Sequence, residues 1–183
     1  MLAATLLLVS LVVNPKVVIE TKLGSVEVVL YADKAPVTVA NFLKYVEAGR
    51  YEGGRFHRTV TMQNQPDKKI KIEVIQGGVN PMFAEMDFPP IALERTNRTG
   101  ILHKDGVISM ARDGADSATS DFFICIGDQP SLDFGGKRNP DGQGFAAFGR
   151  VTKGMDVVKK IQTSRAKEQT LTPPVAISQI TRI

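Results

Sequence analysis

Two β-branched runs in "VVIETKLGSVEVVLY" (residues 17–31) flank Leu23-Gly24-Ser25, a tight glycine-bearing connection of the kind that joins antiparallel strands. After Pro36 the period changes. Val39, Phe42, Leu43 and Val46 fall at i, i+3, i+4 and i+7, which predicts a helix with one buried face, Thr38 capping its start and Gly49 stopping it. Strand-like segments then return at "RFHRTV", "IKIEVIQ", "GVISMA", "FFICIG" and "FAAFGRV", and "PVAISQI" closes the chain. "GMDVVKKIQ" reads as a second short helix. Many strands, two helices and long Gly/Pro-rich loops predict a mainly β fold, a closed barrel with helical lids. "TSRAKEQTLTPP" (163–174) reads as a surface loop, because its prolines lack amide donors and a sheet would not accept both.

At 183 residues the chain is long enough for one sizeable core and short for two. The net charge of +4 comes from Lys and Arg scattered without interleaved aromatics, the pattern of a solvated basic surface rather than a nucleic-acid stripe. A lone cysteine, Cys125, forms no intrachain disulfide, and its place in "FFICIG" makes it a buried structural thiol rather than a nucleophile. With two histidines and no cysteine pair there is no zinc spacing, and no metal is expected. Residues 1–13, "MLAATLLLVSLVV", are uncharged and shorter than the roughly 20 residues a membrane span needs. They are the apolar part of an export signal or an ordered apolar arm; the first has no basic start and no clear cleavage site before Asn14 to support it. The expected division is an apolar segment 1–16 and a folded domain 17–183, in a periplasmic or secreted protein, with a cytoplasmic one as the alternative.

No phosphate loop, Ser/His/Asp set or paired-carboxylate motif stands out. The informative combination is "YADKAPVTVANFLKYVEAGRY" (31–51), "FHR" (56–58), "QGG" (76–78), "GVISMAR" (106–112), "SDFFIC" (120–125) and "FAAFGRV" (145–151) followed closely by "GMDVV". In this order and spacing they resemble the cyclophilin family of peptidyl-prolyl cis-trans isomerases from about residue 17 to the end. The resemblance implies a closed eight-stranded antiparallel β-barrel capped by two α-helices, with a peptide groove on its outer face. It makes Arg58 the catalytic residue, Phe123 the floor of a proline pocket, and Leu132 and Val74 its walls. Gln76 would order Arg58 or bind the peptide carbonyl, and Ala111 would back the residue before the proline. Arg112, Asp121 and Phe145 complete the groove. Read alone, Arg58 is a surface-strand arginine and Phe123, Leu132 and Val74 are core. No cofactor is implied. The implied partners are proline-containing peptides and unfolded or partly folded clients, bound by a monomer, with no nucleic acid and no stable membrane insertion.

The groove diverges from the family pattern. Where the family has an aromatic three residues before the glutamine of "QGG", this chain has Glu73, unless the preceding insertion shifts another side chain into the slot. Asp121 replaces a glutamine, Arg112 an asparagine, Ser131 a tryptophan or other aromatic, and Phe145 a histidine or tyrosine. Asp121 and Arg112 are either a charge pair across the groove or two unrelated charges. These changes keep open an alternative function, a catalytically weak or inactive peptide-binding or chaperone module of the same fold. "TMQNQPDKKIK" (61–71) lengthens a connection that is short in the family. It reads as a surface excursion, cheap because loop-closure entropy grows slowly with length, and is either decoration or part of the groove mouth. His57, next to Arg58 along a strand, should point to the opposite face and pack as a structural histidine.

Overall fold

The computed structural model describes residues 13–183, so the segment 1–12, on which most of the export-signal reading falls, lies outside the described residues. β1 (Lys16–Thr21) and β2 (Gly24–Leu30) form the expected hairpin, with Thr21 opposite Gly24. Gly24 has φ 129°, and a Cβ there would stand 2.7 Å from Val157 Cγ2, so only glycine fits this turn. α1 (Pro36–Glu47) buries Val39, Phe42, Leu43 and Val46 as the periodicity requires. Its cap is not Thr38. The carboxylate of Glu94, from a distant loop, accepts the N–H groups of Val37 (3.2 Å) and Thr38 (2.7 Å) and the Thr38 hydroxyl (2.7 Å). A negative group at a helix N-terminus satisfies otherwise unpaired donors and opposes the helix dipole.

β3 (Arg55–Val60) and β4 (Val74–Gly78) follow, then α2 (Thr96–Thr99), a single turn that no apolar period announces and that makes a third helix. β5 (Val107–Met110), β6 (Phe122–Cys125), β7 (Ala147–Lys153), α3 (Met155–Gln162), β8 (Ala166–Lys167) and β9 (Thr170–Arg182) complete the chain. The strands run β1-β2-β7-β5-β6-β4-β3-β9 in space, every pairing is antiparallel, and β9 returns to β1 to close an eight-stranded barrel. β8 is a two-residue addition on the β9 side. The expected surface loop 163–174 is therefore β8 and the start of β9. Its prolines are accommodated because Phe56 pairs with Val175 and Arg58 with Thr170, which leaves Pro173 and Pro174 in a stretch without a ladder partner on β3.

The barrel interior is filled by side chains. Phe122 stands edge-on to Phe42, Tyr51 and Phe56 with ring centroids 5.6, 5.6 and 5.8 Å apart, so α1, the turn that follows it and β3 meet on one ring of β6. Alternation along β6 sends Phe122 and Ile124 into this core and Phe123 and Cys125 to the outer face. There they join Val60, Ile72, Val74 and Leu132 in a second, smaller apolar cluster. "FFICIG" is continuously apolar because β6 is covered on both faces. Burial pushes the Cys125 thiol far up, as an inert structural cysteine requires.

Candidate active site

The outer cluster is the bottom of an open cleft of about 590 Å³, and Arg58, Val74, Gln76, Ala111, Arg112, Asp121, Phe123, Leu132 and Phe145 all line it. Phe123 is 5% exposed, is met edge-on by Phe145 at 5.5 Å, and is backed by the stacked ring of His103 at 5.9 Å. His103 is itself fixed, with Nδ1 2.7 Å from Asp133 Oδ1 and Nε2 3.0 Å from Ser109 Oγ. The floor is thus supported from behind by buried, hydrogen-bonded groups.

The wall that the family gives an aromatic is supplied by Ile72. Residues 70–73 leave the strand expected over "IKIEVIQ", and β4 begins only at Val74. Ile72 turns into the cluster, 6% exposed, while Glu73 accepts a 3.3 Å hydrogen bond from Gln162 Nε2 on α3. Ile72, not Glu73, is thus the apolar side chain beside Val74 in the cleft.

Arg58 is half-buried and held by uncharged partners. Gln169 Oε1 accepts from Nε at 2.9 Å and from Nη2 at 2.7 Å, and Gln76 Oε1 accepts from Nη1 at 3.0 Å. A guanidinium has five N–H groups, so one on each terminal nitrogen remains for a ligand. Burial, then the nearby Arg138 charge, lowers its pKa, yet an arginine starts high enough to stay protonated. Amide carbonyls orient the cation without neutralising it. Gln76 also donates through Nε2 to Asp121 Oδ2 at 3.0 Å, linking Arg58 to the carboxylate across the cleft.

One expectation is corrected here, the face of His57, and of the two readings left open for Arg112 and Asp121 the structure has the unrelated charges. His57 lines the same cleft as Arg58, its Nε2 3.5 Å from Asp121 Oδ2, because the ladders of β3 with β4 and β9 both shift register between Phe56 and Arg58. Arg112 does not pair with Asp121. Its side chain is 1% exposed, clasps Asp141 at 2.8 and 3.0 Å, donates from Nε to the Gly144 carbonyl at 2.8 Å and lies 5.0 Å over the Phe145 ring. It fixes the loop that carries Phe145. Asp121 is instead set against Gly78, where a Cβ would overlap its carboxylate, which gives a reason for the second glycine of "QGG". Burial raises the Asp121 pKa, opposed by the Gln76 hydrogen bond and by His57.

The insertion 61–71 is more than a surface excursion. Gln65 is 1% exposed, donates to the carbonyls of Thr61 (2.7 Å) and Ile72 (2.8 Å), and accepts from Arg138 Nη1 at 2.9 Å. Asn64 donates to the carbonyls of Thr59 (3.0 Å) and Glu168 (3.1 Å), and its own carbonyl accepts from Gln169 Nε2 at 3.0 Å. Sequence reasoning missed Ile72, Arg138 and Gln169. Ile72 was legible as the apolar residue just before Glu73; Gln169, 111 positions from Arg58, left no local signal.

An eight-stranded barrel bearing an apolar slot and an oriented, uncompensated arginine on its outer wall defines a peptide-binding barrel of the cyclophilin class. Residues 16–182 match the family described as cyclophilin type peptidyl-prolyl cis-trans isomerase/CLD, and the chain belongs to that family. Similar curated proteins include peptidyl-prolyl cis-trans isomerase A of Dickeya dadantii, 40% identical over 79% of this chain and 70% of that protein. Another is peptidyl-prolyl cis-trans isomerase B of Escherichia coli, 36% identical over 80% and 83%. A crystal structure of a Cryptosporidium parvum cyclophilin type isomerase superposes with TM-score 0.74 at 20% identity, over 93% of this chain and 98% of that one.

Proposed function

We propose that the chain accelerates cis-trans isomerisation of Xaa-Pro bonds, with Phe123, Leu132, Val74 and Ile72 receiving the proline and Arg58 acting on its amide. The observation that carries this reading is the Arg58 guanidinium, fixed by Gln169 and Gln76 with N–H groups to spare beside the apolar slot. The planar amide has a rotation barrier of about 18–20 kcal/mol because nitrogen shares its lone pair with the carbonyl. Twisting returns that pair to nitrogen, where a fixed cationic donor hydrogen-bonds it more strongly than in the ground state. Uncatalysed exchange takes tens to hundreds of seconds. A turnover of about 10–1,000 per second therefore requires roughly 4–7 kcal/mol of barrier lowering. No proton is transferred, so His57 and Asp121 have no acid-base duty.

The rival reading, an inactive peptide-binding module, leaned on Glu73; Ile72 in the vacated slot takes that support away. The proposed clients are unfolded or partly folded chains with exposed Xaa-Pro bonds, met by a monomer. The uncharged residues 1–13 support a periplasmic or secreted location, which cell fractionation reads. In a protease-coupled assay on a proline peptide, Arg58→Ala is expected to lower kcat/KM at least about 100-fold, equivalent to about 2.7 kcal/mol. Equal activity in a folded variant removes Arg58 from the mechanism.

A further inference from the structure

A second hollow of about 250 Å³, lined by Lys68, Lys69, Ile70, Lys137 and Arg138, adjoins the cleft through Arg138, which lines both. Arg138 is held in place by neutral acceptors: Nη1 donates to Gln65 Oε1 at 2.9 Å and to the Ile70 carbonyl at 2.7 Å, and its backbone N–H donates to the Ser131 carbonyl at 3.1 Å. Lys68, Lys69 and Lys137 are exposed. Five cations among the described residues lie within salt-bridge distance of a carboxylate, among them Lys104 with Asp128, Arg112 with Asp141 and Lys153 with Glu27. Among the described residues no carboxylate lies within salt-bridge distance of these four, and Asp67, the inserted segment's own acid, pairs with none of them. Arg58 shares the cleft with Arg138 and likewise has no carboxylate within salt-bridge distance among the described residues. Beyond Gln76 the cleft is lined by Asp87, Asp113 and Asp121, interspersed with Arg55 and with His57, whose Nε2 lies 3.5 Å from Asp121 Oδ2.

We propose that this groove is charge-polarised and selects proline segments carrying a carboxylate side chain on one side of the proline, held by Lys68, Lys69, Lys137 and Arg138. The inference deepens the isomerase reading and rests on it. The neutral acceptors hold Arg138 without cancelling its charge, and the cations surround a concave space that a glutamate side chain can enter. On the opposite side of the proline the same carboxylate meets Asp87, Asp113 and Asp121 mixed with Arg55 and His57, and no comparable cluster of cations. Exposed ion pairs are individually weak, each roughly a 1.5- to 5-fold effect, so the preference comes from several acting together and fades with salt.

Direct binding separates this claim from catalysis. Fluorescently labelled peptides with a central proline, carrying Glu or Gln on one side or the other, are titrated by anisotropy at about 10 mM and about 1 M salt. The Glu peptide is expected to bind roughly three- to tenfold tighter than its Gln twin on one side only, with the ratio falling below about twofold at high salt. The variant Lys68→Gln/Lys69→Gln/Lys137→Gln should lose the ratio while binding the Gln peptide as wild type does. Lys137→Gln alone, outside the inserted segment, should lose part of it. Equal affinity for Glu and Gln peptides, an equal gain on both sides, or a ratio that survives the triple substitution would overturn the proposal. Turnover of the Gln peptide reads the isomerase activity separately.

Discussion

Replacing Gln169 by alanine tests whether orientation of Arg58, beyond its presence, sets the rate. The substitution removes the acceptor for two of the three hydrogen bonds that hold the guanidinium, leaving Gln76 on Nη1. An arginine side chain has about 2 kcal/mol of rotamer entropy to recover when released, and Gln76 restrains part of it. A loss of about 1–2 kcal/mol of transition-state stabilisation follows, or roughly a 5- to 30-fold fall in kcat/KM. The apolar slot of Phe123, Leu132 and Val74 is untouched, so the fall should sit in kcat with KM within about twofold. The protease-coupled assay resolves the two over a range of peptide concentrations. A double-mutant cycle supplies the control: added to Arg58→Ala, Gln169→Ala should cost nothing further. Wild-type kcat in Gln169→Ala, or the same loss in the Arg58→Ala background, would refute the reasoning.

The buried amide of Gln65 makes the inserted segment structural. Gln65→Ala is expected to destabilise the fold by about 2–4 kcal/mol in urea unfolding, because the Thr61 and Ile72 carbonyls lose their shared donor; an unchanged midpoint would return the segment to decoration. Burial raises the Asp121 pKa, so protonation favours the folded state; that stabilisation is full below about pH 3.9 and is lost as pH rises through the raised folded-state value. Asp121→Asn should therefore unfold later than wild type at pH 7 and lose that advantage in acid, and the opposite order of midpoints at pH 7 would contradict it. Cyclosporin, a cyclic peptide bound by many cyclophilins, is expected to bind about 30- to 1,000-fold more weakly than to members with a tryptophan before the leucine. Ser131 offers neither the indole donor nor its apolar face, and low-nanomolar affinity by calorimetry would contradict this.

The legible parts of the chain were those governed by period. The i, i+3, i+4, i+7 face of α1, the hairpin at Gly24 and the double-sided apolar run of β6 follow from local rules, and the structure has them. What the sequence hid was set by contacts between distant segments. Thr38 looked like a cap because the competing carboxylate, Glu94, is 56 positions away. His57 was assigned to the wrong face because period 2 holds only where the ladder is regular, and the register shift beside it comes from β4 and β9. The two prolines of "TLTPP" argued against a strand, correctly for their own positions, but β9 continues past them on either side. Every groove residue proposed from the motifs lines the cleft, and Gln76 holds Arg58 as the motifs suggested, yet the share of Gln169 in orienting Arg58 and the clasp of Arg112 on the Phe145 loop could be found only in three dimensions.

An insertion in a strand connection costs little in closure entropy, which explains why such a segment is tolerated but not why this one is so firmly tied down. Its ties run to two separate places. Gln65 and the Ile70 carbonyl anchor Arg138, on the stretch that follows Leu132, while Asn64 anchors the turn between β8 and β9 that presents Gln169 to Arg58. Arg138 lines the cleft, Gln169 stands behind Arg58, and Ile72, at the foot of the same segment, belongs to the apolar cluster. A loop that merely filled space would leave at least one of these contacts to water. Here a single connection supplies an apolar wall, a fixed cation at the rim and the support behind the arginine's orienting amide. Substitutions within 61–72 should therefore change several properties of the groove together, whereas substitutions in the floor around Phe123 should change proline binding alone.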